Sequence, residues 1–287
     1  MKIHVLIENT TDSDLQCEHG LSLYIEYQDK KILLDAGSTD VFAENARQMG
    51  TDLGAVDMAF LSHGHYDHSG GFGAFIRENE SAPVYAMGQV IGGSYSTSGG
   101  NLHGIGIPSE VMQELKERFA FVTDVIKVSE GITLVPHSTP GLEQIGEHAG
   151  LYVQKGSALN SNIVPDDFAH EMSVVFETGA GLVICNSCSH GGVQNIVEEV
   201  QRALPGQKIY AYIGGLHMKG RKDGEEICIY PEKEVKALTE YIRDAGIKVL
   251  LTGHCTGEPA IALLEKYMEG VQLMRLCTGT VYDLDEA

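Results

Sequence analysis

Hydrophobic positions near the start of the chain fall in short β-branched runs, IHVLIE, LSLYIEY, KILLDAG and VDMAFLSH, separated by turn residues. This spacing predicts strands through the first third, with one helical stretch around Val41 to Met49. Around Gly70 the pattern changes: GGFGAFIREN predicts a helix entered from a glycine pair, and Ala82 to Ala86 another strand. Residues 88–108 are rich in glycine and serine and show no usable period, which predicts a long loop or lid. From about Phe119 to Ile184 strand patterns return (FAFVTD, GITLVP, GLYVQ, MSVVFE, GLVICN), interrupted by a polar stretch from Ser157 to His170.

The last hundred residues alternate. Helices are expected near Gly191 to Ala203, Pro231 to Ala245 and Glu258 to Met268, between the strands KIYAYIGG, KVLLTGH and VQLMRL. Two halves that each begin with strands and then cover them with helices suit an α/β protein of two packed sheets with outer helices. The expectation is a four-layer αββα sandwich in a single domain spanning 1–287, with the glycine-rich loop at about 88–108.

Charge narrows the partners. Forty acidic against twenty basic residues give a formal net charge of -20, which repels a phosphate backbone or an anionic membrane surface. Nucleic acid and membrane are therefore not expected. The expected partners are a small-molecule substrate, anions included, and a second copy of the chain as a homodimer. MKIHVLIENT lacks the apolar core of a signal peptide and no run approaches the length of a membrane span, so a cytoplasmic location is expected. The six cysteines form no short-domain framework, and reduced thiols are the default.

The strongest chemical signal is Ser62-His63-Gly64-His65-Tyr66-Asp67-His68-Ser69-Gly70-Gly71, where the strand VDMAFLS ends and a helix begins. Three imidazoles and a carboxylate within six residues have no apolar packing role, and neutral imidazole with carboxylate suits zinc, iron, manganese or nickel. His63 and His65, two apart in an extended segment, project to one side and can share a metal; Asp67 and His68, after the turn, can reach a second. Solvated loop histidines are the bland alternative.

The run HxHxDH followed by GG resembles the metallo-β-lactamase superfamily. His19-Gly20-Leu21-Ser22, Ile32-Leu33-Leu34-Asp35-Ala36-Gly37, Ser187-Cys188-Ser189-His190-Gly191-Gly192, Gly214-Gly215-Leu216-His217 and Gly253-His254-Cys255-Thr256-Gly257 occur in order around that run. The ordered set is similar to the subfamily of the archaeal dihydropterin–ribofuranosylaminobenzene phosphate synthase, many of whose members are called metal-dependent hydrolases. The resemblance implies the metallo-β-lactamase fold with two mixed sheets, and a centre of two zinc ions, with iron or manganese as alternatives. It further implies that Asp35 orients the ligand loop, and that His190 and His254 join His63, His65, Asp67 and His68 as ligands.

Two departures stand out. A bridging aspartate is replaced around His190 by Cys-Ser-His, and Leu142 stands in Thr-Pro-Gly-Leu where a ligand histidine commonly follows. Glu147, His148 or Glu171 could substitute, and Cys188 could add a thiolate. His217 looks substrate-facing, a phosphate ligand or proton carrier, with Gly214 and Gly215 letting backbone approach a ligand. The Cys255-Thr256-Gly257 turn opens a helix whose free amides could bind an anion. His103 could touch substrate, Tyr95 could help form a pocket, and His4, His137 and His170 are given no role.

The function these residues suggest is hydrolysis of a small ester or phosphoester by a metal-activated water, with Asp67 and His217 as catalytic proton carriers. A transferase like the methanopterin-pathway synthase is one alternative. A diiron redox protein is another, though it would commonly bring carboxylate bridges and a flavin partner.

Overall fold

The computed structural model describes residues 1–156 and 160–284. It separates into two compact units. The first comprises Met1–Asp124, Pro136–Met172 and Thr278–Ala287; the second comprises Val125–Val135 and Ser173–Cys277.

In the first unit a seven-stranded mixed sheet runs Val281–Asp283, Lys2–Ile7, Ser22–Tyr27, Lys30–Leu34, Met58–Phe60, Val84–Met87 and Phe119–Val122, each paired with its neighbour. The first four strands form antiparallel pairs and the rest add in parallel. Met58–Phe60 is buried at every residue, as expected of an inner strand in the parallel part of the sheet. Its C-terminal end delivers Ser62 and the histidine run, and the helix Phe72–Glu78 follows.

The glycine pair between them is required by packing. A Cβ on Gly70 would lie 1.9 Å from the Ser38 carbonyl oxygen, and one on Gly71 would lie 2.1 Å from that of Ala36. Only bare backbone lets this turn sit on the loop that follows Asp35.

The glycine-rich segment 88–108 is not a structureless loop. Ser94–Ser96 and His103–Gly104 pair as a hairpin, and Ser94–Ser96 also pairs with Leu151–Lys155, which pairs in turn with Asn162–Pro165. The two-residue period is hidden because serine and glycine fill the strand positions. Tyr95 donates from its hydroxyl to Gln154 Oε1 at 3.1 Å, inside this small sheet. The polar stretch beginning at residue 157 contains the strand Asn162–Pro165, while residues 157–159 lie outside the described part.

In the second unit the sheet runs Gln272–Arg275, Val249–Thr252, Ile209–Ile213, Gly181–Cys185, Met172–Thr178, Ile132–Pro136 and Ile126–Ser129. Helices Val193–Ala203, Glu232–Asp244 and Glu258–Tyr267 alternate with its parallel strands, as the pattern predicts. Val197, Val200, Val235, Ile242 and Leu264 from these helices share one core cluster with Ile184, Tyr212 and Leu250 from the strands. The class is therefore α/β, with two mixed sheets carrying helices.

Candidate metal centre

Asp35 follows the strand Lys30–Leu34 in the left-handed region, with φ 59, and is fully buried. Such a conformation is costly for a side-chain-bearing residue and persists where the surroundings over-determine it. Here the carboxylate takes three hydrogen bonds. Ser62 N donates to Oδ1 at 2.8 Å, Ser62 Oγ donates to Oδ2 at 2.7 Å, and His68 Nδ1 lies 2.7 Å from the same Oδ2.

This geometry fixes tautomers. Ser62 gives its single hydroxyl proton to Asp35, so its oxygen is an acceptor for His63 Nδ1 at 2.8 Å. Both His63 and His68 then carry the proton on Nδ1, and in each ring Nε2 holds the lone pair that a metal needs. The His63 ring lies 4.2 Å from that of His68 and 4.5 Å from that of His65, centroid to centroid. All three histidines and Asp67 are buried. Asp67 Oδ2 is 3.8 Å from His68 Nε2 and 3.2 Å from Nε2 of the exposed His19. Clustered imidazoles with outer nitrogens locked by a carboxylate and a hydroxyl form a donor set that fits zinc.

The ligand loop is held from two sides. Tyr66 N donates to Ile105 O at 2.9 Å, and His65 forms a bridge with Gly106, so the glycine-rich segment touches this loop directly. On the other side Met172 N donates to Ser62 O at 3.0 Å, and Gly64 N donates to His170 Nδ1 at 3.1 Å. His170 is buried, and its Nε2 lies 2.9 Å from Asp166 Oδ2. Burial alone would raise the Asp166 pKa, but the adjacent His170 ring outweighs it and holds the carboxyl at about 2. Burial alone would lower the His170 pKa; Asp166 beside it raises it. Sequence reasoning gave His170 and His137 no role, yet both are buried in carboxylate pairs, His137 Nε2 lying 2.8 Å from Glu171 Oε1. The signal available in the sequence was His170 itself, set between Asp166 and Glu171 just before the strand Met172–Thr178.

Leu142, at the position where the resemblance implies a ligand histidine, packs in a small apolar cluster with Leu151 and Phe168. The substitutes considered for it fare differently: Glu147 and His148 are exposed on the helix Glu143–Ala149, while Glu171 is buried against His137.

In the second unit His190 and His217 lie with rings 4.5 Å apart. His190 is buried and His217 half-buried, and His217 has φ 49. Ser189 and His254 also occupy the left-handed region, with φ 54 and 53. Ser189 is clamped there: its amide donates to Asn186 Oδ1 at 2.7 Å and its hydroxyl donates to Gly215 O at 2.6 Å. Ligand atoms of Cys188, His254 and Cys255 lie within 4.8 Å of one another.

Two expectations for this unit are corrected. A Cβ on Gly214 would lie 1.8 Å from Asn186 O and one on Gly215 2.3 Å from Cys255 Sγ, so these glycines admit neighbouring loops of the chain itself. The helix Glu258–Tyr267 already has an anion at its start, because Glu226 Oε1 accepts from Glu258 N at 2.8 Å. His103 lies exposed on its hairpin strand, and His4 pairs with Glu26 at 2.7 Å.

Two mixed sheets with alternating helices, and a histidine run on a strand end oriented by a buried aspartate, define a metallo-β-lactamase-fold protein. The family profile described as the metallo-beta-lactamase superfamily matches residues 15–150. The chain is 29% identical to the 7,8-dihydropterin-6-methyl-4-(beta-D-ribofuranosyl)-aminobenzene-5'-phosphate synthase of Methanocaldococcus jannaschii, over 98% of this chain and 96% of that protein. A crystal structure described as a metal-dependent hydrolase of the beta-lactamase superfamily superposes with a TM-score of 0.80 at 24% identity, covering 99% of each chain. A metallo-beta-lactamase fold protein of Bacillus subtilis aligns with a TM-score of 0.55 at 12% identity, over 98% of this chain and 99% of that one. The solved structures therefore show the metallo-β-lactamase fold, and the ordered motifs lie in a chain that is similar to the synthase along nearly its whole length.

Proposed function

We propose that this chain is a cytoplasmic metal-dependent hydrolase of a small ester or phosphoester, holding two zinc ions on His63, His65, Asp67, His68, His190 and His254. The observation that carries the reading is the Asp35–Ser62 network, which turns Nε2 of both His63 and His68 into lone-pair donors. A buried carboxylate that fixes two imidazole tautomers serves no packing purpose.

Bound zinc would supply a water with its pKa lowered towards about 7 and polarise the oxygen of the scissile bond. The chain's own residues do the remainder. Asp35 and Ser62 hold the imidazoles in place, Asp67 accepts a proton at its carboxylate, and His217, beside His190, delivers one from a ring nitrogen to the leaving group.

The transferase reading has one specific support, the near full-length similarity to the curated synthase. It shares the ligands and differs in the nucleophile that displaces the leaving group.

Elemental analysis of protein purified without added metal, with hydrolysis of a nitrophenyl phosphodiester and a nitrophenyl ester, tests the proposal. About two zinc ions per chain with turnover is the expected result, and His65→Ala should lose both metal and activity. Iron without hydrolysis would favour the diiron reading. Full activity in His65→Ala would remove this centre from the chemistry.

A further inference from the structure

We propose that His170 and Asp166 form a positioning pair that fixes the Gly64 amide, and with it the separation of His63 and His65 on either side. This inference rests on the reading of those two histidines as metal ligands. Gly64 is the single residue between them, so the orientation of its peptide sets the direction in which each ring leaves the backbone.

The geometry assigns the protons. Gly64 N donates to His170 Nδ1 at 3.1 Å, so Nδ1 is an acceptor. In the neutral ring that this contact requires, His170 carries its proton on Nε2 and donates it to Asp166 Oδ2 at 2.9 Å. Both ring nitrogens are engaged. Ligand atoms of His65, Asp166 and His170 lie close enough together to suggest an ion, but a metal on His170 would have to displace one of these two bonds. The side chain is built to orient the loop.

Asp166 is itself anchored on every side. Its Oδ1 accepts from Phe168 N at 2.7 Å, its amide donates to Leu151 O at 3.0 Å, and its carbonyl lies 2.2 Å from where a Cβ on Gly146 would stand. Phe168 is fully buried in the left-handed region with φ 53, and its carbonyl accepts from Glu171 N at 2.9 Å. Met172 N then reaches Ser62 O, so the segment from Asp166 to Met172 grips the ligand loop at Ser62 and at Gly64. Asp35 fixes His68 directly and His63 through Ser62; the His170 pair fixes the peptide between His63 and His65.

The test compares His170→Asn with His170→Leu. The asparagine Oδ1 occupies the position of Nδ1 and can accept from Gly64, whereas leucine cannot. Zinc affinity is measured by competition with a chromophoric chelator, and the Gly64 amide by hydrogen exchange and its proton shift in ¹⁵N-labelled protein. The expected result is zinc binding within a few-fold of wild type for His170→Asn and a loss of about 10–100-fold for His170→Leu. Gly64 exchange should be accelerated only in the leucine variant, with the amides of Ala59 and Leu61 unchanged. Equal zinc loss in both variants with Gly64 still protected would overturn the proposal and make His170 a ligand. Equal Gly64 exchange in wild type and His170→Leu would also overturn it. Failure of the wild type to bind zinc would instead sink the hydrolase reading, while the Gly64 measurement would still report on the hydrogen bond.

Discussion

At Ser62 a single hydroxyl proton decides the state of the His63 imidazole. Because it goes to Asp35, His63 must donate from Nδ1, and the same carboxylate receives Nδ1 of His68. Asp35→Asn would put an amide donor where two donors converge, pushing His68 towards the tautomer whose Nε2 carries a proton. Zinc affinity should fall about 10–100-fold with the far-ultraviolet circular dichroism unchanged. Leu142 yields the opposite lesson. Leu142→His would not restore the ligand that a motif comparison finds missing, since the side chain is buried among Leu151 and Phe168. The expected outcome is a stability loss of roughly 2–4 kcal/mol in denaturant titration and no gain in bound zinc. Asp166, with a pKa held at about 2 against an ordinary 3.8, contributes stability that is present above the ordinary value. That contribution is lost as pH falls towards about 2, so acid unfolding of Asp166→Asn should be less steep over that window.

At the scale of elements, the candidate site residues sit where strands stop. The histidine run follows Met58–Phe60, Asp35 follows Lys30–Leu34, His190 lies beyond Gly181–Cys185, His217 beyond Ile209–Ile213, and His254 beyond Val249–Thr252. Strand ends give positions that are rigidly rooted yet free of ladder hydrogen bonds. Several of the residues there adopt left-handed backbone, namely Asp35, Ser189, His217 and His254. The glycines beside them make the crowding tolerable. Gly214→Ala combines φ 134 with a contact of 1.8 Å to Asn186 O, and should cost roughly 2–3 kcal/mol. A fall in Tm of about 5–10 °C in calorimetry would match that estimate. The strands and helices of the last hundred residues were legible because the inner strands are short continuous apolar runs, buried at nearly every residue, while the helices follow a period near 3.6. The hairpin Ser94–Ser96 with His103–Gly104 was not, since its stability comes from pairing with Leu151–Lys155, more than fifty residues away in sequence.

For the molecule as a whole, the excess of 20 negative charges is the dominant long-range property. An anionic substrate must cross that field before any local cation can hold it. Raising ionic strength from about 10 to 150 mM should therefore lower KM for an anionic ester and leave KM for a neutral one unchanged. Steady-state kinetics on a matched pair of esters would check this, and equal salt responses would dismiss steering by net charge. Among the described residues no helix is long and apolar enough to cross a membrane.

The sequence by itself determined the fold class and put forward the candidate donors. The HxHxDH run is chemically conspicuous because three imidazoles and a carboxylate are crowded into a turn, and the strand–helix alternation is written in local hydrophobic runs. Only the tertiary structure decided what each donor is allowed to do. The proton on His63 depends on Asp35, 28 positions earlier, and the Gly64 peptide depends on His170, 106 positions later. Tautomers, peptide orientations and occupied helix ends such as that of Glu258 are properties of hydrogen bonds closed between distant segments. No local pattern records them, because the partner's position in the chain is free to vary while its position in space is not.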